Sequence, residues 1–158
     1  MFNIVLVNPQ IPQNTGAIGR MCVNAGFRLH IIKPTVFDLS QKAVRRAGLD
    51  YWHKLNPIIW ENLEEFLAKN NQVKDRFFFA STKASEYYFN VKFKPNDFIF
   101  FGAESTGLPL SLMSLNPQNM VKIPMTKEGR SLNQAMAAGI ISYEALRQNM
   151  GENPEIYM

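Results

Sequence analysis

Three short polar stretches hold the side chains of this chain that could do chemistry. "NPQIPQNTGAIGR" (Asn8 to Arg20) carries Asn14 and Arg20, "GAESTGLP" (Gly102 to Pro109) carries Glu104, and "GRSLNQ" (Gly129 to Gln134) carries Arg130, Ser131, Asn133 and Gln134. The glycines of the second stretch allow close backbone approach, which would suit a phosphate. Glu104 in its middle argues against an anion and for a hydroxyl, an amine or a cation. No G-x-G-x-x-G follows the first apolar run and no G-x-x-x-x-G-K-[ST] occurs, so neither the dinucleotide fingerprint nor a P-loop is on offer. His30, His53 and Cys22 stand apart, without zinc-ligand spacing, and no metal is expected. Plainer readings stay open: Asn14 as a helix cap, Arg20 as a solvated charge, Glu104 as an exposed acid in a turn. On a regular helix Asn14 and Arg20, six positions apart, point away from each other.

The elements that must position these residues are legible as alternating runs. "IVLV" (Ile4 to Val7), "LHII" (Leu29 to Ile32), "FFFA" (Phe77 to Ala80), "FIFF" (Phe98 to Phe101) and "MVKIP" (Met120 to Pro124) are continuous apolar segments, the pattern of strands covered on both faces. A first helix is predicted from a cap at Asn14 or Thr15 to Gly26, and "SQKAVRRAG" predicts a second, with Ser40 capping and Gly48 closing. "WENLEEFLAKNN" predicts an amphipathic third, with Leu63, Phe66 and Leu67 on one side. A short helix follows Pro109, and a long one runs from about Ser131 to Asn149. Strands alternating with helices predict an α/β domain whose mostly parallel sheet carries helices on both faces. In such sheets ligands bind beyond the carboxyl ends of the strands, which is where the polar stretches fall.

The last helix raises a question of its own. "SLNQ" has the form of a capping box between Ser131 and Gln134, leaving Arg130 and Asn133 unexplained at an end where ligands bind. Leu132, Met136, Gly139, Tyr143 and Leu146 share one face, while Ala137, Ile140 and Ile141 make a second. A helix apolar on two sides predicts two neighbours, of which one could be another subunit.

The 158 residues, 46% hydrophobic, fit one globular domain with a real core, spanning 1–158 with a loose tail at about 151–158. A formal net charge of +4 suits a polyanionic partner but is common in other soluble proteins. A lone cysteine excludes an internal disulfide, and Cys22 is read as a small buried residue. The apolar run of "MFNIVLV" is too short for a signal peptide, and no stretch is apolar for long enough to span a membrane. A cytoplasmic, reduced protein with no membrane partner is expected.

Taken together, "NTGAIGR", "FGAESTGLP" and "IPM" followed by "RSLNQAMAAGIISYE" resemble, in order and over most of the chain, the three motifs of the SPOUT class of RNA methyltransferases, in the branch that methylates ribose 2′-hydroxyls. With "RRAGLDYW" (Arg45 to Trp52) and the short opening, the chain looks most like the small enzymes acting on the tRNA wobble nucleotide, cytidine or uridine at position 34. The resemblance implies a C-terminal trefoil knot, S-adenosylmethionine as cofactor, and a homodimer whose sites draw on both subunits. By position, it implies cofactor contacts at Ala80, Gly102, Ile123, Met125, Ser131 and Leu132, with Ile123 and Leu132 flanking the adenine. Ala17 stands where many relatives carry a second Asn, and Gln134 where an aliphatic residue is frequent, which bears on substrate detail.

The resemblance also assigns Arg20, Asn14, Glu104 and Asn133 to catalysis. The equivalent of Arg20 is the base proposed in this class, yet a guanidinium, with a pKa above about 12, is ordinarily a permanent cation. Arg20 is therefore expected to act as a cation beside the reacting oxygen and a phosphate, with deprotonation assisted by phosphate or water, Asn14 and Asn133 orienting Arg20 and the ribose, and Glu104 anchoring either Arg20 or the loop. For RNA, Lys42, Arg45, Arg46 and Lys54 lie near Tyr51 and Trp52, charge for phosphates and rings for unstacked bases. Trp52 could equally be a core residue. Arg130 and Tyr143 are further RNA candidates, and Lys83 with Tyr87 and Tyr88 forms a weaker one. Methylation at another tRNA or rRNA position, or a knotted RNA-binding module without transfer, remain the alternatives.

Overall fold

A computed structural model describes residues 1–46 and 49–152. Its strands are β1 (Asn3–Val7), β2 (Arg28–Ile32), β3 (Ile58–Trp60), β4 (Phe77–Ala80), β5 (Glu86–Tyr87), β6 (Phe98–Phe101) and β7 (Met120–Lys122). They form one sheet in the order β3-β2-β1-β6-β4-β7-β5, and every pairing between them is parallel. The five apolar runs are all strands. The two edge strands, β3 and β5, were not expected: each is too short to show a period, and Ile58, Ile59, Glu86 and Tyr87 face solvent.

Helices α1 (Pro12–Ala25), α2 (Gln41–Arg46), α3 (Trp52–Leu55), α4 (Leu63–Asn70), α5 (Leu110–Met113) and α6 (Gln134–Asn149) cover the sheet. Alternation along the strands divides the core in two. Ile4, Leu6, Ile99 and Phe101 pack with Ile18 and Cys22 of α1 and with Ala138, Ile141 and Ala145 of α6. Val5, Val7, Phe98 and Phe100 pack on the other face with Phe66 of α4 and Leu112 of α5. Phe66 is fully buried and meets Phe98 and Phe100 edge-on, so truncating it to alanine would cost about 3 to 5 kcal/mol.

Helix α1 begins earlier than predicted, its N-cap three residues before Asn14. Ile11 is its N-cap, without a side-chain bond, and Pro12 opens the helix, where its missing N–H is one that no helical acceptor would have met. Gly26 closes it in the left-handed region at φ 67°, as expected. Ser40 does cap α2, its hydroxyl accepting from Ala43 N at 3.2 Å, while Gly48 and tail residues 153–158 lie outside the described residues. Asn62 caps α4 by accepting from Glu65 N.

At α6 the expected capping box is absent. Asn133 is the N-cap, its Oδ1 accepting from Ala135 N at 2.9 Å and Met136 N at 3.2 Å. Ser131 lies outside the helix. The Gln134 carboxamide turns instead to the Gly102 carbonyl, donating from Nε2 at 2.6 Å. A long-range acceptor thus takes the group that local chemistry would have spent on the cap. The buried side of α6 is Ala138, Ile141, Ser142, Ala145 and Leu146, which takes Leu146 from one predicted face and Ile141 from the other and coincides with neither. Met136, 57% exposed, and Tyr143, 46% exposed, lie with Leu132 on the open side. Apolar residues encircle this helix, so periodicity could not choose the side that meets the sheet.

At the amino ends of the strands, Asp97 is buried and receives Arg76 in a bidentate pair, Nε to Oδ1 at 2.7 Å and Nη2 to Oδ2 at 2.5 Å. Lys94 N donates to the same carboxylate. Nearby, the indole of Trp60 donates to Nδ1 of His30, whose Nε2 then faces Asn3 Oδ1 as donor, and Asn3 Nδ2 continues to the Asn96 carbonyl. Burial, with a smaller contribution from the charge of Arg28, pushes the His30 imidazole down to about 4.

Candidate active site

The carboxyl ends of β4, β6 and β7 open into a cavity of about 520 Å³. That volume falls within the roughly 300 to 1,000 Å³ of small-molecule sites. Its walls come from four parts of the chain: the start of α1, the Ser81–Lys83 turn, the loop after β6 and the segment that leads into α6. The six positions named for the cofactor all line it, with Ile123 and Leu132 among its apolar surfaces.

Gly102 shows why the loop after β6 has its composition. A Cβ there would lie 2.1 Å from Gly107 C and 2.2 Å from Leu108 N, so only glycine lets this loop fold back on itself. Gly107 closes the turn at φ 72°, which glycine adopts without strain.

A chain of hydrogen bonds locks the three polar loops. Asn133 Nδ2 donates to Asn14 Oδ1 at 2.8 Å, and Asn14 Nδ2 donates to Glu104 Oε1 at 3.2 Å. Glu104 also accepts from Gln10 N at 2.7 Å and from Ile11 N at 3.1 Å. Ile11 and Gln10 are the residues just before α1, so a carboxylate supplies the acceptor that a capping side chain would have. Gln10 reciprocates, its Oε1 accepting from Ser105 N and Oγ at 2.9 and 2.8 Å. Sequence reasoning missed Gln10 and Ser105, whose partnership links residues 95 apart and leaves no local signal. Asn14 is buried, and Asn133, as cap and donor together, fixes the entrance of α6 relative to α1. Gln134 Oε1, at the inner wall, is buried without a hydrogen-bond partner among the described residues.

Arg20 stands apart from this chain. It lies on the exposed side of α1, its guanidinium 5.3 Å above the Tyr51 ring, and it does not line the cavity. Neither Asn14 nor Asn133 orients it within one protomer, and Glu104 anchors the loop rather than the arginine. Tyr51 is in turn fixed, its hydroxyl donating to the Gly16 carbonyl. The ring therefore holds the cation at a set place on the surface, where cation–π contact contributes about 0.5 to 1 kcal/mol.

Of the residues considered for RNA, Lys42, Arg46, Lys54, Arg130 and Tyr143 are exposed, while the side chain of Arg45 lies outside what is described. Trp52 is half-buried: it packs on the first core cluster, with its ring edge toward Gly19, so core packing claims part of it. No helix among the described residues is long and apolar enough to cross a membrane. The Cys22 thiol is pushed up to about 12 by burial, which removes it from chemistry at neutral pH.

Residues 1–143 match the model of the family described as "SpoU rRNA Methylase family". A curated relative from Saccharophagus degradans, called tRNA (cytidine(34)-2'-O)-methyltransferase, is 41% identical over 149 residues, covering 94% of this chain and 96% of that protein. A solved structure described as "Structural insights into the 2-OH methylation of C/U34 on tRNA" superposes with a TM-score of 0.87 at 37% identity, over 96% of this chain and 97% of the other. An AdoMet-bound rRNA methyltransferase from Sinorhizobium meliloti superposes with a TM-score of 0.77 at 25% identity, over 92% of this chain and 56% of that one. With a family match over residues 1–143, 41% identity to a curated relative and a superposition over 96% of the chain, the chain belongs to the SpoU methylase family.

Proposed function

We propose that this protein transfers a methyl group from S-adenosylmethionine to the ribose 2′-hydroxyl of the wobble nucleotide, cytidine or uridine 34, in tRNA anticodon loops. The observation that carries this reading is the Asn133–Asn14–Glu104 chain, which joins three distant loops over one cavity in a chain of the same length as relatives named for that reaction. S-adenosylmethionine, when bound, supplies an electrophilic methyl group. Ala80, Gly102, Ile123, Met125, Ser131 and Leu132 would hold it, with Ile123 and Leu132 offering apolar surface to an adenine and the loops offering backbone polar groups. Neither His30 nor His53 lines the cavity, so the proton released from the 2′-hydroxyl as the methyl is transferred passes to the adjacent phosphate or to water. In-line transfer depends chiefly on alignment, which the locked loops provide.

Arg20, which does not line the cavity of its own chain, acts at the cavity of the second copy in the homodimer, as a fixed cation that lowers the pKa of the 2′-hydroxyl and meets the neighbouring phosphate, and Asn14, Glu104 and Asn133 hold the surrounding loops. A homodimer completes the site. Its support is the stripe of Leu132, Met136 and Tyr143 left open on α6, beside Gly139, where an added Cβ would meet nothing within 4 Å. The segment from β7 into α6 forms the trefoil knot that the motif resemblance implies, with β7 inserted between β4 and β5 in the sheet. Lys42, Arg45, Arg46, Trp52, Arg130 and Tyr143 contact the anticodon stem-loop, and the protein works in the cytoplasm. Incubation with labelled S-adenosylmethionine and total tRNA from a strain lacking the gene, followed by nucleoside mapping, tests the reading. The expected product is 2′-O-methylated nucleotide 34, and no label in any tRNA would end it. Arg20→Lys, which keeps the charge and loses the fork, should retain partial activity, whereas full activity in Arg20→Ala would dismiss the role of the cation.

A further inference from the structure

At the sheet edge beside the cavity, two aromatic rings stand open. Tyr87 is the last residue of β5 and Phe89 follows it closely; they are 38% and 48% exposed, and their rings stack with centroids 5.4 Å apart and planes 17° from parallel. Tyr88, between them, turns the other way: it is half-buried against the first core cluster and braces Phe89 edge-on at 5.1 Å. Exposed stacked rings of this size are costly to leave in water unless something covers them. One cation packs on the pair and a second lies in the cavity wall. Lys122 Nζ lies 5.2 Å from the Tyr87 ring centroid, and Lys122 and Lys83 both line the cavity. The carboxylate of the adjoining Glu86 is already engaged by Asn90 Nδ2 and Tyr87 N. Because β5 runs parallel to β7, with Tyr87 opposite Lys122, the pair sits at the same sheet end as Ile123 in the cavity wall.

We propose that Tyr87 and Phe89 form a stacking platform for an unpaired base of the substrate RNA, with Lys122 and Lys83 beside its phosphates. The proposal rests on the tRNA reading above for its substrate. An aromatic face binds any base, and adjacent ammonium groups add charge without sequence preference. The platform would steady a nucleotide flanking the reacting one, so that the strand enters the cavity from the β5 edge.

The test measures RNA binding separately from transfer. Wild-type protein, Tyr87→Leu/Phe89→Leu and Phe89→Trp are titrated with total tRNA and with a short single-stranded oligoribonucleotide carrying a fluorescent base. Each is also assayed for S-adenosylmethionine affinity, thermal midpoint and sedimentation. The leucine pair keeps apolar bulk and removes the rings. It should weaken RNA binding about 10-fold or more, at unchanged cofactor affinity and thermal midpoint, while Phe89→Trp binds as tightly as wild type or tighter. Unchanged RNA affinity in the leucine pair, or no RNA binding by wild type, overturns the platform. A leucine pair that falls to a smaller oligomer also overturns it, assigning the rings to a contact between copies. Wild-type binding without methyl transfer, with the leucine pair still weakened, would sink the transferase reading and leave the platform standing.

Discussion

The two ends of the sheet hold polar networks of similar size that differ in closure. At the amino ends, Arg76, Asp97, Lys94 N and Asn3 are joined, and mid-strand His30 carries the chain on to Trp60, so that each buried donor named has an acceptor. At the carboxyl ends, Asn133, Asn14 and Glu104 are likewise bonded in a row, but the network borders a cavity and leaves Gln134 Oε1 without a partner among the described residues. A closed network only stabilises; an open one, held rigid by a few fixed bonds, can bind something. Stability and chemistry are thereby kept at opposite ends of the strands.

The comparison is broken most severely at Gly102. Gly102→Ala must displace the backbone of Gly107 and Leu108, so it should abolish cofactor binding and reduce methyl transfer more than about 100-fold, read by calorimetry and labelled transfer. At the other end, Arg76→Ala strands the buried Asp97 carboxylate and should cost about 3 kcal/mol in denaturant unfolding, with transfer by the folded protein unchanged. A loss of transfer beyond the loss of folded protein would show that the two ends are coupled.

The pH dependence sharpens the same contrast. His30 stays neutral in the fold down to about pH 4, whereas the unfolded imidazole protonates near 6.5. Between those values the unfolded chain binds the extra proton, so stability is complete above about pH 6.5 and declines as pH falls toward 4, by about 3 kcal/mol in all. Denaturant midpoints across that window should slope in the wild type and flatten in His30→Gln. The smallest effect belongs to Asn133→Ala, which removes the α6 cap and should cost about 1 kcal/mol of stability. It also frees Asn14, so transfer should fall about 10-fold or more, and equal losses in stability and transfer would reduce Asn133 to a simple cap.

Particular residues show how far the sequence could be read. The five apolar runs needed no partner to be recognised, because strands covered on both faces must be apolar throughout. Gly26 and Ser40 also acted as local chemistry predicts. The cap of α6 did not: Ser131 and Gln134 satisfy a local rule, yet Asn133 holds the position, since Gln134 finds a carbonyl 32 residues away. Arg20 and Asn14 share one motif but serve different surfaces, because helical geometry sends them apart.

By itself the sequence determined the element types, the α/β class and the polar loops that gather at one sheet end, since these depend on composition, period and the preferences of single residues. Only the tertiary structure decided which loop residues touch, which side of α6 stays open, and that Tyr88 is covered while Tyr87 and Phe89 are not. Those outcomes turn on contacts between residues far apart in the chain, and no local energy ranks one distant partner above another.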